Sequence, residues 1–266
     1  MNRTFKIGII PAAGDGVRIS NYRYSKVLPK SMLPLMDRPV IEYSLYNMIQ
    51  LGVKEVYIII NKSGKIIMDY FGNGEEFGIK INYIVQETKS GLGNAIYLLR
   101  NIIYEPFIVI LGDDVTVATN LAEVIPFYLE NNAEAVQCVV YEEDLESIKN
   151  SCELSFNSDS SVKIIKEKPA CPSTNYRGIG IYLLSPKIFR YIEIHRNNIQ
   201  HQAIEVGLSQ ALSLSVESSK FFAYKIDGFN VNINREIDLK VARDYIVKYN
   251  ATKVDNPLHI KDETTR

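Results

Sequence analysis

Short apolar runs of strand length alternate with helix-length amphipathic patterns through the first half of the chain. Residues 6–10 read as a strand that runs into a glycine loop. Residues 40–51 form a helical pattern with Leu45, Met48 and Ile49 on one face, and Gly52 stops it as a C-terminal glycine does. A β-branched strand at 53–60, a helix at 65–71, a third strand at 79–85 and a helix at 92–103 follow. Residues 107–111 give a fourth strand that is apolar on both faces. Such strands belong in the middle of a parallel sheet with helices on either side. The second half is more mixed, with a helix at 122–130 and strands at 135–141, 162–167 and 178–184. Helices at 186–194 and 203–214, a strand at 221–226 and a helix at 237–249 complete the pattern. The alternation predicts an α/β fold, a doubly wound, mostly parallel mixed sheet flanked by helices and Rossmann-like, with ligands at the carboxyl ends of its strands.

Length and composition narrow the picture. At about 150 residues per domain, 266 residues allow one large domain, expected at 1–250, with a polar tail at 251–266. Thirty basic against thirty-one acidic residues leave a charge of -1, so no basic field points to nucleic acid. The three cysteines and three histidines fall in no zinc spacing, and an odd cysteine count suits a reducing compartment. The strongest apolar runs, 56–60 and 107–111, fall far below the roughly 20 residues of a membrane span. Gly8 and Pro11 interrupt the apolar stretch that a secretory leader needs. A cytoplasmic location without membrane attachment is expected, and a homo-oligomer is left open.

Candidate chemistry begins directly after the first strand, at Pro11-Ala12-Ala13-Gly14-Asp15-Gly16-Val17-Arg18. Two glycines let backbone N–H groups close round an anion, and Arg18 adds a bidentate phosphate donor. Ile19 stands where the dinucleotide fingerprint needs its third glycine, and no Gly-Lys-Ser/Thr follows, so neither a nicotinamide site nor a P-loop is indicated. Twelve residues beyond Arg18 comes Lys30, between Pro29 and Pro34 in a stiff segment, a point charge suited to a leaving phosphate.

Taken together, G-x-G-x-R, P-K-x-M-L-P and the start R-P-V-I-E-Y resemble the sugar-1-phosphate nucleotidyltransferase family, closest to its thymidylyl- and uridylyltransferase branch. The resemblance continues in order through Gln86 to Ala95, Leu111-Gly112-Asp113, Glu167-Lys168-Pro169 and Asn175-Tyr176 to Tyr182. It implies a nucleotidyltransferase fold without a C-terminal β-helix domain. It also implies a nucleotide site of Ala12, Ala13, Gly14, Gly16, Gln86, Gly91 and Asp113, and an acceptor site of Glu167, Lys168 and Gly180. Arg18, Lys30, Asp113 and Lys168 would be catalytic, with Mg2+ as cofactor held by Asp113 and Asn232. The partners implied are a nucleoside triphosphate, UTP or dTTP, and a phosphorylated sugar-like acceptor, with release of pyrophosphate.

Three segments depart from the family pattern. Asn232 stands where the family carries a second magnesium-binding aspartate, Cys152 replaces a glycine behind the sugar, and Gln202-Ala203-Ile204-Glu205 replaces E-I-T-D. An amide brings a dipole rather than a charge to magnesium, and a thiol adds bulk on the sugar side. These departures keep two alternatives open: a weakened or regulatory nucleotide-binding homologue, and the same chemistry on a non-hexose acceptor.

Overall fold

Side chains alternate strictly between two cores in the middle strands, as the twofold period of a pleated strand dictates. The computed structural model describes residues 5–14, 28–200, 202, 204–218 and 220–252. Gly16, Arg18 and Ala203 lie outside the described residues, as does the tail beyond residue 252. The first half contains β1 (Ile7–Pro11), the hairpin β2 (Pro34–Leu35) and β3 (Arg38–Pro39), α1 (Val40–Gln50) and β4 (Glu55–Ile60). It continues with α2 (Lys65–Phe71), β5 (Lys80–Val85), α3 (Leu92–Tyr97), β6 (Phe107–Ile110) and β7 (Asp114–Ala118). Next come α4 (Val124–Glu130), β8 (Ala135–Tyr141), α5 (Leu145–Lys149), β9 (Cys152–Phe156), β10 (Val162–Glu167) and β11 (Tyr176–Leu184). The last elements are α6 (Ile188–Ile199), α7 (Leu208–Ser213), β12 (Phe221–Lys225), β13 (Gly228–Asn232) and α8 (Glu236–Thr252).

Strands β5, β4, β1 and β6 run parallel in that spatial order, and β11 pairs antiparallel with β6. Beyond β11 the sheet divides, with β9 and β10 on one branch and β8 and β12 on the other. A separate two-stranded sheet pairs β7 with β13, so that Asp114 lies opposite Asn232.

Ile10 of β1 and Ile108 and Ile110 of β6 face Ile41, Leu45 and Met48 of α1. Ile9, Phe107 and Val109 face the other way, onto Ile96, Ile192 and Leu212 of α3, α6 and α7. A third core joins Val115 and Val117 of β7 and Phe229 of β13 to Leu239 and Ala242 of α8. Gly52 takes φ +79° just after α1, the left-handed turn that glycine makes without strain.

Several boundaries differ from the sequence expectation. The helix expected over 92–103 ends at Tyr97, because Leu99, Arg100 and Ile102 donate N–H groups only three residues back, to Ile96, Tyr97 and Leu99. Those are tightened turns rather than α-helix. The helix expected over 203–214 begins at Leu208, after Gly207. The helix expected over 186–194 extends to Ile199. Strands β7, β9 and β13 were not anticipated as elements.

Leu45→Ala should cost about 2–5 kcal/mol of unfolding free energy, the range for emptying a buried leucine site. Tyr104→Ala, at a side chain 78% exposed, should stay within about 0.5 kcal/mol. Urea denaturation of the two variants would check both values.

Candidate active site

The carboxyl ends of β1, β5 and β6 share one edge of the sheet, because the strands are parallel. At that edge Gly112 donates its N–H to the carbonyl of Pro11 at 3.0 Å. A Cβ on Gly112 would stand 3.1 Å from the same oxygen and 3.2 Å from the Ala12 side chain. Glycine therefore lets the turn after β6, which carries Asp113, pack closely on Pro11 and Ala12. Helix α1 fixes this turn from below. The buried Ser44 hydroxyl donates to the Leu111 carbonyl at 2.7 Å, and Asn47 Nδ2 donates to the Thr116 carbonyl at 3.1 Å.

Lys30 opens a single helical turn after Pro29. Its ammonium pairs with Asp113 Oδ2 and donates to Asn234 Oδ1 at 3.0 Å. Asn232 Nδ2 donates to Asp113 Oδ1 at 3.2 Å and to Asp114 Oδ1, while its own oxygen accepts from Asn234 Nδ2. Lys30, Asp113, Asn232 and Asn234 thus form a closed ring of side chains. Asp114 is only 2% exposed. It accepts from the Gly180 N–H at 2.8 Å and from Asn230 Nδ2 at 3.1 Å. Burial, and next the adjacent charge of Asp113, raise its carboxyl above the usual range, against the pull of those donors.

Asn232 lies beside Asp113 and Asp114, with its NH2 group turned toward both carboxylates. Among the described residues no cluster of three or more His, Cys, Asp or Glu could hold a metal. The donors instead fit a magnesium ion bound by one carboxylate, Asp113, with substrate phosphates and water completing the shell. Gly180 is buried and its N–H is engaged by Asp114. A Cβ there would collide with Asp114 Oδ2, so this glycine seats the acid.

At the end of β5, Gln86 is buried beside Gly91 and donates to the Gly91 carbonyl at 3.4 Å. Gly91 takes φ +93°, and a side chain there would run into the backbone of Val206. Val206 in turn receives the Gly93 N–H and donates to the Ser90 carbonyl, both at 2.8 Å. Gln86 and Gly91 are therefore brought together as expected, on a segment bolted to the stretch before α7.

Glu167 and Lys168 stand at the end of β10, both exposed. Glu167 pairs in register with Cys152, and Cys152 with Gly178, two residues before Gly180. The acceptor motif thus reaches the same edge as Asp113. Glu167 Oε2 accepts from the Ser209 hydroxyl at 2.8 Å. Cys152 does not add its bulk to open space: its side chain is buried in the second core beneath Glu167. Burial, followed by the charge of Glu167, pushes its thiol up to about 12.

Sequence reasoning missed Ser44, Asn47, Asn230, Asn234 and Glu153. The available signal was a polar residue on an otherwise apolar helix face or strand, as with Ser44 and Asn47 in α1.

A glycine loop, a lysine and an acidic turn gathered at the carboxyl ends of parallel strands define a nucleotide-handling α/β enzyme. Residues 7–225 match the family described as Nucleotidyl transferase, and the chain belongs to that family. It is 30% identical over 261 residues to UTP–glucose-1-phosphate uridylyltransferase 1 of Staphylococcus saprophyticus, covering 87% of this chain and 89% of that protein. The UTP–glucose-1-phosphate uridylyltransferase of Bacillus subtilis is also 30% identical, over 259 residues and 86% of each chain. The fold matches a UDP-glucose pyrophosphorylase solved in complex with UDP-glucose, with a TM-score of 0.78, 24% identity and coverage of 92% of this chain and 100% of that one. It also matches a UTP-bound UGPase from Acinetobacter baumannii, with a TM-score of 0.77, 21% identity and coverage of 95% of each chain.

Because Cys138 and Cys152 are buried and Cys171 is exposed, only Cys171 should react rapidly with a thiol reagent at pH 8. All three should react once the chain is unfolded. Counting modified thiols before and after denaturant by mass spectrometry would check the burial of Cys152.

Proposed function

We propose that this chain transfers the uridylyl group of UTP to a sugar 1-phosphate, glucose 1-phosphate above all, acting as one domain over residues 1–250. The observation that carries the reading is the pairing of Lys30 with Asp113, on the turn that packs against Pro11 and Ala12, a cation and an anion poised where a triphosphate would lie. The two uridylyltransferase relatives support the choice of substrates.

The acceptor's phosphate oxygen attacks the α-phosphorus in line. The bond from that phosphorus to the bridging oxygen breaks, and pyrophosphate leaves with the bond's electron pair. The residues chiefly position substrates and neutralise charge. On triphosphate binding, Lys30 exchanges Asp113 for a phosphate oxygen, retaining the Asn234 carbonyl as its tether. Arg18 and Gly16 complete the phosphate cradle with Ala12, Ala13 and Gly14, and Gln86 with Gly91 reads the uracil edge. Lys168 grips the acceptor phosphate and Glu167 a sugar hydroxyl. Asp113 would hold magnesium, which would supply charge neutralisation on the phosphates.

One feature favours a second reading, a silent nucleotide-binding relative. Lys30 and the Asn232 amide already satisfy the Asp113 carboxylate, where two carboxylates would hold a metal more firmly. Pyrophosphate release with UTP, glucose 1-phosphate and magnesium decides between the two. Turnover supports the transferase, whereas binding of UTP without turnover on any sugar phosphate supports the silent relative.

Lys30→Ala and Arg18→Ala should each lower kcat/KM about 100-fold or more, the usual cost of losing one transition-state charge partner, with little change in melting temperature. Asp113→Asn should abolish magnesium-dependent pyrophosphate release while leaving the fold intact. Equal activity across a magnesium titration would remove Asp113 from the metal site.

The half-saturating magnesium concentration of the parent should be high, and Asn232→Asp should lower it by adding a second hard anionic ligand. A parent saturated at micromolar magnesium and indifferent to the substitution would contradict this account of position 232.

A further inference from the structure

Glu153 is the second residue of β9 and is 1% exposed. Its neighbours Cys152 and Leu154 face the second core, so its side chain points to the opposite face, across from Lys166 on β10 and Arg177 on β11. The Arg177 guanidinium is engaged by Glu142 at 3.2 Å and by Asn230 at 2.9 Å. The Glu153 carboxylate is spent instead on a loop. Oε1 accepts the N–H of Ser173 at 2.6 Å, the N–H of Thr174 at 3.0 Å and the Ser173 hydroxyl. Oε2 is buried without a hydrogen-bond partner.

Burying a carboxylate is costly unless donors compensate it, and an apolar β-branched residue would suit this strand position better. The three donors that Glu153 gathers all lie near the end of the loop that begins at Lys168. At the loop's start, Lys168 takes φ +46°, and its N–H donates to the Ser151 carbonyl at 2.6 Å. Between these anchors stand Pro169 and Pro172, which have no N–H to donate. Thr174 adds a hydroxyl bond to the Leu154 carbonyl at 2.8 Å. Both ends of the loop are thus tied to one four-residue stretch, 151–154, and at the far end the chief tie is the Glu153 carboxylate.

We propose that Glu153 is a positioning residue for acceptor binding: it latches Ser173 and Thr174 and so holds the loop that presents Lys168. This rests on the reading that Lys168 grips the acceptor phosphate. The Glu153 carboxylate bonds to Ser173 and Thr174 of the loop that starts at Lys168, so its effect is expected on the acceptor and not on the triphosphate.

The test compares the parent, Glu153→Val, Glu153→Gln, Ser173→Ala and Lys168→Ala with UTP and glucose 1-phosphate. Glu153→Val should raise the acceptor KM tenfold or more while the UTP KM stays within twofold. Glu153→Gln, whose amide oxygen still accepts both N–H groups, should recover most of that loss, and Ser173→Ala should shift KM in the same direction by a smaller factor. Hydrogen exchange at the Ser173 and Thr174 amides, which needs no activity, should be slow in the parent and fast in Glu153→Val. If Glu153→Val does not fold, Glu153→Gln and Ser173→Ala carry the same comparison. A loss shared equally between the two substrates, or unchanged exchange at both amides, overturns the latch. If Lys168→Ala leaves the acceptor KM unchanged, the reading of Lys168 fails; if that variant is impaired while the Glu153 and Ser173 variants are not, the latch alone fails.

Discussion

A carboxylate taken out of water must be met by donors, and Asp114 shows how far this fold is organised to do so. Its donors come from β11, through the Gly180 N–H, and from β13, through Asn230 and Asn232. No single strand could supply that set. The two-stranded sheet and the main sheet are therefore held in one geometry by a buried acid, and Asp113, one residue earlier, is placed by the same constraint. Gly180 has no side chain because any Cβ would occupy the space of the Asp114 oxygen. Asn230 then passes the arrangement on to Arg177 and, through it, to Glu142.

The central parallel strands were legible in the sequence because both of their faces are apolar. β6 reads as Phe-Ile-Val-Ile and every one of its residues is buried. Strands β7, β9 and β13 are less legible because they are short and alternate polar with apolar residues instead of forming apolar runs. Their polar positions Asp114, Thr116, Glu153, Asn230 and Asn232 enter hydrogen-bond networks of the folded chain. The site divides in the same way. Lys30, Asp113, Gln86, Gly91 and Lys168 belong to motifs with a recognisable spacing. Ser44, Asn47 and Glu153 bind backbone atoms from distant segments, and a polar residue on an otherwise apolar face marks such a position without naming its partner.

The amide at position 232 is more than a missing charge. A carboxylate there would face Asp113 and Asp114 with no donor of its own, three acids together. Asparagine gives the two aspartates a shared N–H2 group and leaves its oxygen for Asn234. Asn234 then completes the ring to Lys30. The two asparagines are best understood as a pair, since the orientation of one fixes the atom that the other receives.

The stretch from Val206 to Ser209 touches both halves of the substrate edge. Val206 exchanges backbone hydrogen bonds with Ser90 and Gly93 in the segment that carries Gly91, and Ser209 holds the Glu167 carboxylate three residues later. Four consecutive residues act as a strut between the segment that carries Gly91 and the end of β10. The Gly91 segment and the end of β10 consequently share one foundation on this side of the molecule, and neither can shift there without straining a bond to the same four residues.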